Sequence, residues 1–293
     1  MQDEGRDLVT NSHNRSLVSH IDAEEERDIA TVDTPGAFMH SDMDELVHVR
    51  LSGPMAELLV RVDPEKCRKH IVKDKKGNDV LYVELKKASC GACQAALLFW
   101  KNLSSYLVDE LGFTLNKYDK CVANKVINGK QCTIIWHVDD LKMSHVSPQV
   151  IEQLSEKHGK EAPLTVTRGR AHEHLGMTID FSKKGKVKFI MNDYVENLLS
   201  EAPKDVSGHA ATPAAHHLFS VNDKAAKISD EDSEVCHYLT AKVLYLSKRA
   251  RPDLQTAVAF LCKRVKQPGV DDWKKLGRCV RHLRGSADLF LTL

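Results

Sequence analysis

The stretch that most constrains this sequence is TIIWHVDDLKM, residues 133–143, where an apolar run meets two adjacent acids, Asp139 and Asp140. A β-branched run before the acids and an alternating run after them predict two strands joined by a hairpin with carboxylates at its tip. The tip lacks the Asn-Gly or Asp-Gly pair that short hairpins favour. Adjacent carboxylates in a half-buried turn repel each other unless a cation compensates. A divalent metal ion is the compensation we expect; the alternative is a solvated surface turn.

A second apolar segment, DIATVD at residues 28–33, also ends in an acid, Asp33. The Pro35-Gly36 pair that follows should break the strand and redirect the chain. If Asp33 meets the acid pair at the ends of adjacent strands, the three carboxylates can bind two Mg²⁺ ions about 3.5–4 Å apart. We therefore predict Asp33, Asp139 and Asp140 as catalytic residues and metal ligands, with Mn²⁺ as an alternative ion.

These two segments resemble the metal-binding motifs of reverse transcriptases. Residues 32–39 are similar to the first motif, Asp-x-x-x-Ala-Phe, and residues 137–140 to the second, usually Tyr-Val-Asp-Asp. Further segments in the same order resemble copia-type (Pseudoviridae) retrotransposon polymerases: 85–100, 118–122, 174–179, 238–246, 251–254 and 273–285. The resemblance runs from about Ile21 to the C-terminus, and the succession of motifs is more specific than any one of them.

The resemblance implies an α+β fold, a reverse-transcriptase palm with an antiparallel sheet backed by helices, followed by a helical thumb or connector. The fingers are expected to be largely missing. The implied domains are a residual-fingers or disordered N-terminus at 1–27, the palm and primer-grip region at 28–200, a linker at 201–233 and a connector at 234–293 before an absent ribonuclease H. The implied activity is RNA-directed DNA polymerisation, nucleotidyl transfer to a primer 3′-hydroxyl.

The resemblance also assigns roles near the acids. Ala37, Phe38 and Gly91 correspond to nucleotide-binding positions, and the Phe38 ring to a steric gate against a ribose 2′-hydroxyl. A core phenylalanine is the alternative for Phe38. Leu175 and Gly176 correspond to the primer grip.

The balance of charge gives little steering toward a polyanion, because 42 Lys and Arg face 41 Asp and Glu. Nucleic-acid binding must then depend on local clusters. Lys184 and Lys186 lie in a predicted hairpin, and Lys274, Arg278 and Arg281 fall on one face of a predicted helix. We predict phosphate contacts at these five residues, with a merely solvated face as the alternative.

The expected partners are an RNA template, a DNA primer, deoxynucleoside triphosphates and other Pol polyprotein segments, namely integrase and ribonuclease H. Eight scattered cysteines and no signal peptide suit a reducing intracellular compartment, either the cytoplasm, within a virus-like particle, or the nucleus. No apolar run has the length of a membrane span.

The pair Cys90 and Cys93 lacks the second ligand pair of a structural zinc site. His137, where relatives carry Tyr, is either a metal-shell residue or a filler.

An alternative function is a catalytically inactive remnant that at most binds nucleic acid. Gln94 and Leu97 stand where similar sequences carry Arg, and fingers and nuclease are expected to be absent.

The sequence pattern also predicts individual elements. Apolar periodicity predicts helices over 95–111, 148–157, 234–250, 252–266 and 271–284. We further expect a short acidic helix over 21–27, a hairpin pairing 175–181 with 187–191, and a charged loop over 61–77.

Overall fold

A computed structural model describes residues 12–89, 91–92, 94–159, 164–203, 205–222 and 224–293 of the chain. Its α-helices are α1 (Ser12–Glu24), α2 (Pro54–Val62), α3 (Pro64–Cys67), α4 (Ala95–Ser105), α5 (Pro148–His158), α6 (Asn192–Glu201), α7 (Asp230–Ser247), α8 (Gln255–Cys262) and α9 (Val270–Arg284). Its strands are β1 (Asp28–Asp33), β2 (His48–Ser52), β3 (Ile71–Lys73), β4 (Asp79–Glu84), β5 (Thr114–Leu115), β6 (Val122–Ile127), β7 (Lys130–His137), β8 (Asp140–His145), β9 (Thr165–Arg168), β10 (Ala171–His174), β11 (Met177–Asp180), β12 (Lys188–Ile190) and β13 (Leu291–Thr292). None of the helices in this part of the chain has the length and hydrophobicity needed to cross a membrane.

The strands form three sheets, with orders β5-β6-β7-β8-β1-β9, β10-β11-β12-β13 and β2-β4-β3. The chain divides into two compact units. The first contains the described residues of 32–141 and 153–165, and the second those of 12–31, 142–152 and 166–293. The α+β class predicted from the sequence agrees with this mixture of antiparallel pairs and helices.

In the first unit, the antiparallel pair β6 and β7 leads into the acidic hairpin. Val122 lies opposite Ile135 and Ala123 opposite Ile134, and all four residues are buried. Because successive side chains of a strand point to opposite faces, both faces of this pair are covered here, as expected for strands inside a sheet. The predicted helix after the glycine segment is α4, and a π-helical turn over Tyr106–Glu110 extends it.

In the second unit, the β10-β11-β12-β13 sheet packs on α6, α7, α8 and α9. Ile179 and Phe189 are directly opposed in the β11–β12 pair and share a core with Leu246, Leu254 and Leu283. The pairing of β11 with β12 confirms the hairpin predicted across residues 175–191. Helices α7, α8 and α9 confirm the three C-terminal helical patterns, and α5 confirms the helix predicted over 148–157.

The structure differs from the sequence-based domain boundaries at the N-terminus and in the partition of the rest of the chain. Residues 12–24 of the predicted disordered N-terminus form α1, one turn of which buries Ser19, Asp22 and Ala23. The start of the chain, through residue 11, lies outside the described residues. The partition into 28–200, 201–233 and 234–293 also differs from the two compact units, since 166–293 belongs to one of them.

The segment 202–229 has no helix or strand in its described part, as predicted, but it is not a free linker. Leu218 is buried in a cluster with Leu239, Leu261 and Leu276 of α7, α8 and α9. The segment is therefore packed on the C-terminal helices. Its Ala, Pro and His content resembles that of a linker, and only the tertiary contacts reveal that it is ordered.

The predicted loop over 61–77 instead begins within the last turn of α2 and contains α3 and β3. Pro54 and Pro64 each occupy the first helical position, where a missing N–H costs nothing. The charged composition concealed these short helices.

Candidate active site

The acid pair lies at the tip of the hairpin formed by β7 and β8, as predicted. Ile134, Ile135 and Trp136 of β7 and Leu141 of β8 are all buried. Only two residues, Val138 and Asp139, connect the strands. The buried stem fixes the position of the turn and leaves both carboxylates half-buried.

The turn contains a strained backbone. Val138 has a φ of 58°, and it is the only β-branched residue of the described chain with a positive φ. Valine disfavours this region because its branched side chain crowds the backbone, and such conformations cost about 1–3 kcal/mol. The strain immediately precedes Asp139. Backbone strain of this kind is concentrated at functional sites, which makes the turn a candidate site on structural grounds.

Asp33 ends β1, where buried Val32 precedes the exposed carboxylate. Strand β1 is the neighbour of β8 in the sheet, and Asp140 begins β8. The acid-bearing ends of both strands belong to the same compact unit. Asp33 is thus the last residue of one strand and Asp140 the first residue of its neighbour in the sheet. That the three carboxylates meet stays a prediction.

The chemistry of three carboxylates suits Mg²⁺, which prefers hard oxygen ligands. However, no group of three or more His, Cys, Asp or Glu side chains in the described chain is arranged to hold a metal ion. Asp33, Asp139 and Asp140 therefore do not form a preassembled metal site in the structure. Two magnesium ions at these residues stay a prediction.

The segment after Asp33 turns at Gly36, with a φ of 66°, into a short 3₁₀ helix over Ala37–His40. Ala37 is buried, and the Phe38 ring packs edge-on against Phe99 of α4 with centroids 6.1 Å apart. Phe38 is half-buried, so it has both a core contact and an accessible part. The steric-gate role of Phe38 stays a prediction.

Gly91, the third predicted nucleotide-binding residue, is exposed with a φ of 92°. A Cβ there would meet no neighbouring atom, so glycine is favoured by the backbone conformation rather than by space. Cys90 and Cys93, the candidate zinc dithiol, lie outside the described residues.

The predicted primer-grip residues form the turn between β10 and β11. Leu175 has a φ of 53° and Gly176 a φ of 68°. The Tyr245 hydroxyl of α7 donates a 2.8 Å hydrogen bond to the Leu175 carbonyl, and the Tyr245 ring stacks on Tyr194 and Arg249. The sequence suggested that residues 175 and 176 begin a strand, whereas they form a turn. Nothing in the sequence indicated that Tyr245 would hold this turn by a hydrogen bond.

The predicted phosphate-binding residues differ in availability. Exposed Lys184 is paired with Glu26, and Lys186 is exposed in the same loop. On α9, Lys274 lies 3.8 Å from Asp271, and Arg278 donates to the backbone and hydroxyl oxygens of Thr212 at 3.1 and 2.9 Å.

A cavity of about 330 Å³ lies between α9 and the 213–222 segment, and Arg281 of α9 lines it together with Lys274 and Arg278. This basic face of α9 is therefore used in part to hold the 205–222 segment, a contact that helical spacing does not indicate.

Sequence reasoning missed a buried ion network behind the hairpin. Lys142 of β8 pairs with Asp22 of α1, and Arg27 lies 3.5 Å from the same carboxylate. Lys142 also donates to the Ser19 hydroxyl at 3.3 Å. The available sequence signal was Lys142 itself, which lies within an otherwise buried strand. Because lysine is rarely fully buried without a partner, its position indicates a buried acidic residue nearby.

Two known proteins align with most of the chain. It is 21% identical over 254 residues to a Saccharomyces cerevisiae protein named for transposon Ty5-1, covering 86% of this chain and 75% of that protein. It is 22% identical over 281 residues to the retrovirus-related Pol polyprotein from transposon TNT 1-94 of Nicotiana tabacum, covering 92% of this chain. The chain spans only 19% of the length of that polyprotein. These similarities relate the chain, at low identity, to retrotransposon Pol proteins.

No protein-family profile matches the chain. Among solved structures, telomerase from Candida albicans with a fragment of telomeric RNA aligns with 86% of this chain and 44% of its own, at 12% identity and a TM-score of 0.34. A likeness at that level does not establish a common fold.

Proposed function

We propose that this chain is the polymerase segment of a copia-type retrotransposon Pol protein, with an RNA-directed DNA polymerase site at Asp33, Asp139 and Asp140. One observation carries the proposal: the strained two-residue turn Val138-Asp139 leads directly into β8, which begins with Asp140 and is the sheet neighbour of β1, the strand that Asp33 ends. The low-identity similarity to retrotransposon Pol proteins supports it.

In the proposed reaction, the 3′-hydroxyl oxygen of a DNA primer bonds to the α-phosphorus of a deoxynucleoside triphosphate paired with an RNA template. The bond to pyrophosphate breaks, and the hydroxyl proton passes to solvent. Bound Mg²⁺ supplies Lewis acidity for the attacking and leaving oxygens. Asp33, Asp139 and Asp140 would hold it, Phe38 would contact the sugar, and the Leu175-Gly176 turn would support the primer.

The test is primer extension by the full chain on an RNA template with Mg²⁺. We expect extension by the unaltered protein and a loss of at least about a hundredfold for Asp139→Asn, because a metal-bound charge is removed without a change of shape. Asp44→Asn, at an exposed acid of the same unit, is the matched control. Equal activity of Asp139→Asn and the control would exclude a polymerase site at the turn.

A second candidate is an inactive remnant that binds nucleic acid. Gln94 favours it: at a position where similar sequences carry Arg, its uncharged amide donates a 2.8 Å hydrogen bond to the Glu45 carboxylate. It predicts retained binding of an RNA–DNA primer-template duplex without extension in either Mg²⁺ or Mn²⁺. Extension that depends on Asp139 would rule it out.

A further inference from the structure

The first unit carries a second candidate site, none of whose residues belongs to the acidic turn. A cavity of about 1430 Å³ lies beside the β2-β4-β3 sheet and helix α2. Six cationic and three acidic side chains line it. We call it the basic groove and define it by its cations: Arg50, Arg61, Arg68, Lys73, Lys75 and Lys76.

Most of the positive charge in the basic groove is not neutralised. Arg50 pairs with Asp74 and Lys73 with Asp79, each at 2.7 Å. The four remaining cations are exposed and form no ion pair within the described chain: Arg61, Arg68, Lys75 and Lys76. A protein with a net charge of only +1 thus concentrates free cations in one concave place. Such a concentration attracts polyanions.

Two of these cations are presented by a loop that is already ordered. The Asp74 carboxylate accepts hydrogen bonds from the backbone N–H groups of Asn78 and Lys76, both at 2.9 Å. These bonds, that from Asn78 foremost, hold the pKa of Asp74 below its usual value, so the carboxylate stays ionised at neutral pH. Gly77, with a φ of 80°, closes the loop. Lys75 is thereby carried on a preformed backbone, which lowers the entropy cost of binding.

An aromatic ring lies beside this charge. Tyr82 lines the groove and is 52% exposed although it is in the middle strand of its sheet. It is directly opposite Arg50 in the β2–β4 register, so the two side chains are on the same face. A cationic groove with an accessible aromatic ring is the combination that binds single strands, whose unpaired bases stack on the ring while cations follow the phosphates.

We propose that the basic groove binds single-stranded nucleic acid, with phosphates at Arg61, Arg68, Lys75 and Lys76 and one base stacked on Tyr82. Duplexes keep their bases paired inside and offer no free base face to Tyr82. The proposal does not depend on polymerase chemistry at the acidic turn. It requires only that this sheet contact a polynucleotide.

The charge component is tested with the full chain and a short fluorescent oligouridine, whose anisotropy is measured across a salt series. Lys75→Ala/Lys76→Ala should make the slope of log K against log salt less steep by about 1.4, since each single-strand phosphate contact contributes about 0.7. Lys86→Ala/Lys87→Ala is the matched control, because it makes the same change in net charge at lysines paired with Glu84 and Asp42. Equal slopes for the two variants would overturn the proposal.

The stacking component is tested at Tyr82. Tyr82→Ala should weaken oligouridine binding about tenfold, whereas Tyr82→Phe keeps the ring and should bind as the unaltered protein does. Binding of a duplex with the same number of phosphates should not change in either variant. A loss with Tyr82→Phe as large as with Tyr82→Ala, or no loss with either, would overturn the stacking role. Because the readout is binding, failure here is distinguishable from an absence of primer extension.

Discussion

The ammonium of Lys142 is paired with the carboxylate of Asp22, and neither side chain is more than 1% exposed. The pair joins β8, the strand that begins with Asp140, to α1. Breaking a buried ion pair from one side is costly because the remaining charge loses its nearest partner in a low-dielectric environment. Within the described chain, Asp22 would keep only the Arg27 guanidinium, 3.5 Å away. This relationship makes the N-terminal helix part of the support of the hairpin strand.

We therefore expect Lys142→Met to lower the free energy of unfolding by about 3–5 kcal/mol. The double variant Lys142→Met/Asp22→Asn should recover part of this loss, because the carboxylate that has lost its ammonium partner is then removed as well. Urea denaturation measures both. Lys66→Met, which removes an exposed lysine 3.1 Å from Asp63, is the control and should cost less than about 1 kcal/mol. A loss at Lys142 no larger than at Lys66 would contradict the buried pair.

The strain at Val138 predicts an unusual response to glycine. Val138→Gly should leave the free energy of unfolding unchanged or raise it by about 1 kcal/mol, because relief of the positive φ offsets the greater freedom of the unfolded chain. Val126→Gly, at an exposed position of β6, should lower it by about 1 kcal/mol. Thermal denaturation of both variants makes the comparison. Equal losses would show that Val138 stores no strain.

The Tyr245 hydroxyl predicts a local effect at the Leu175-Gly176 turn. Tyr245→Phe removes one hydrogen bond while the stacking on Tyr194 and Arg249 remains, so we expect a cost of about 0.5–1.5 kcal/mol. Amide hydrogen exchange should accelerate at Gly176. Tyr194→Phe, which removes a 3.2 Å bond to the Lys242 carbonyl, is the control and should leave exchange at the turn unchanged.

The Asp253 carboxylate predicts a pH dependence of stability. Burial raises its pKa, but hydrogen bonds from Arg251 and His282 outweigh that effect and leave the pKa below its usual value. The stabilisation is then present above the unfolded pKa, about 3.9, and is lost as the pH falls through the folded pKa.

The difference in melting temperature between the unaltered protein and Asp253→Asn should shrink as the pH is lowered from 6 to 3. Asp288→Asn, at an exposed acid near the C-terminus, should show no such trend. A difference that is constant with pH would contradict the role of Asp253.

Local sequence determined the elements that carry the candidate site. The apolar run before Asp139 and the alternation after it predicted the β7–β8 hairpin, and the DIATVD segment predicted β1. These signals are local because side-chain alternation along a strand reflects the burial of one face. Apolar residues at helical spacing, another local signal, predicted α4, α5 and the three C-terminal helices.

Only the tertiary structure decided which charges are engaged and which are available. Lys142 is neutralised by Asp22, 120 positions earlier in the chain, and Arg278 is hydrogen-bonded to Thr212. Lys75 and Lys76, in contrast, project from an ordered loop, where the sequence indicated only a charged loop. Composition does not separate these cases, because the state of a charge depends on partners brought near by folding of distant segments. The sequence determined where strands and acids occur; the long-range packing determined which side chains are free to bind.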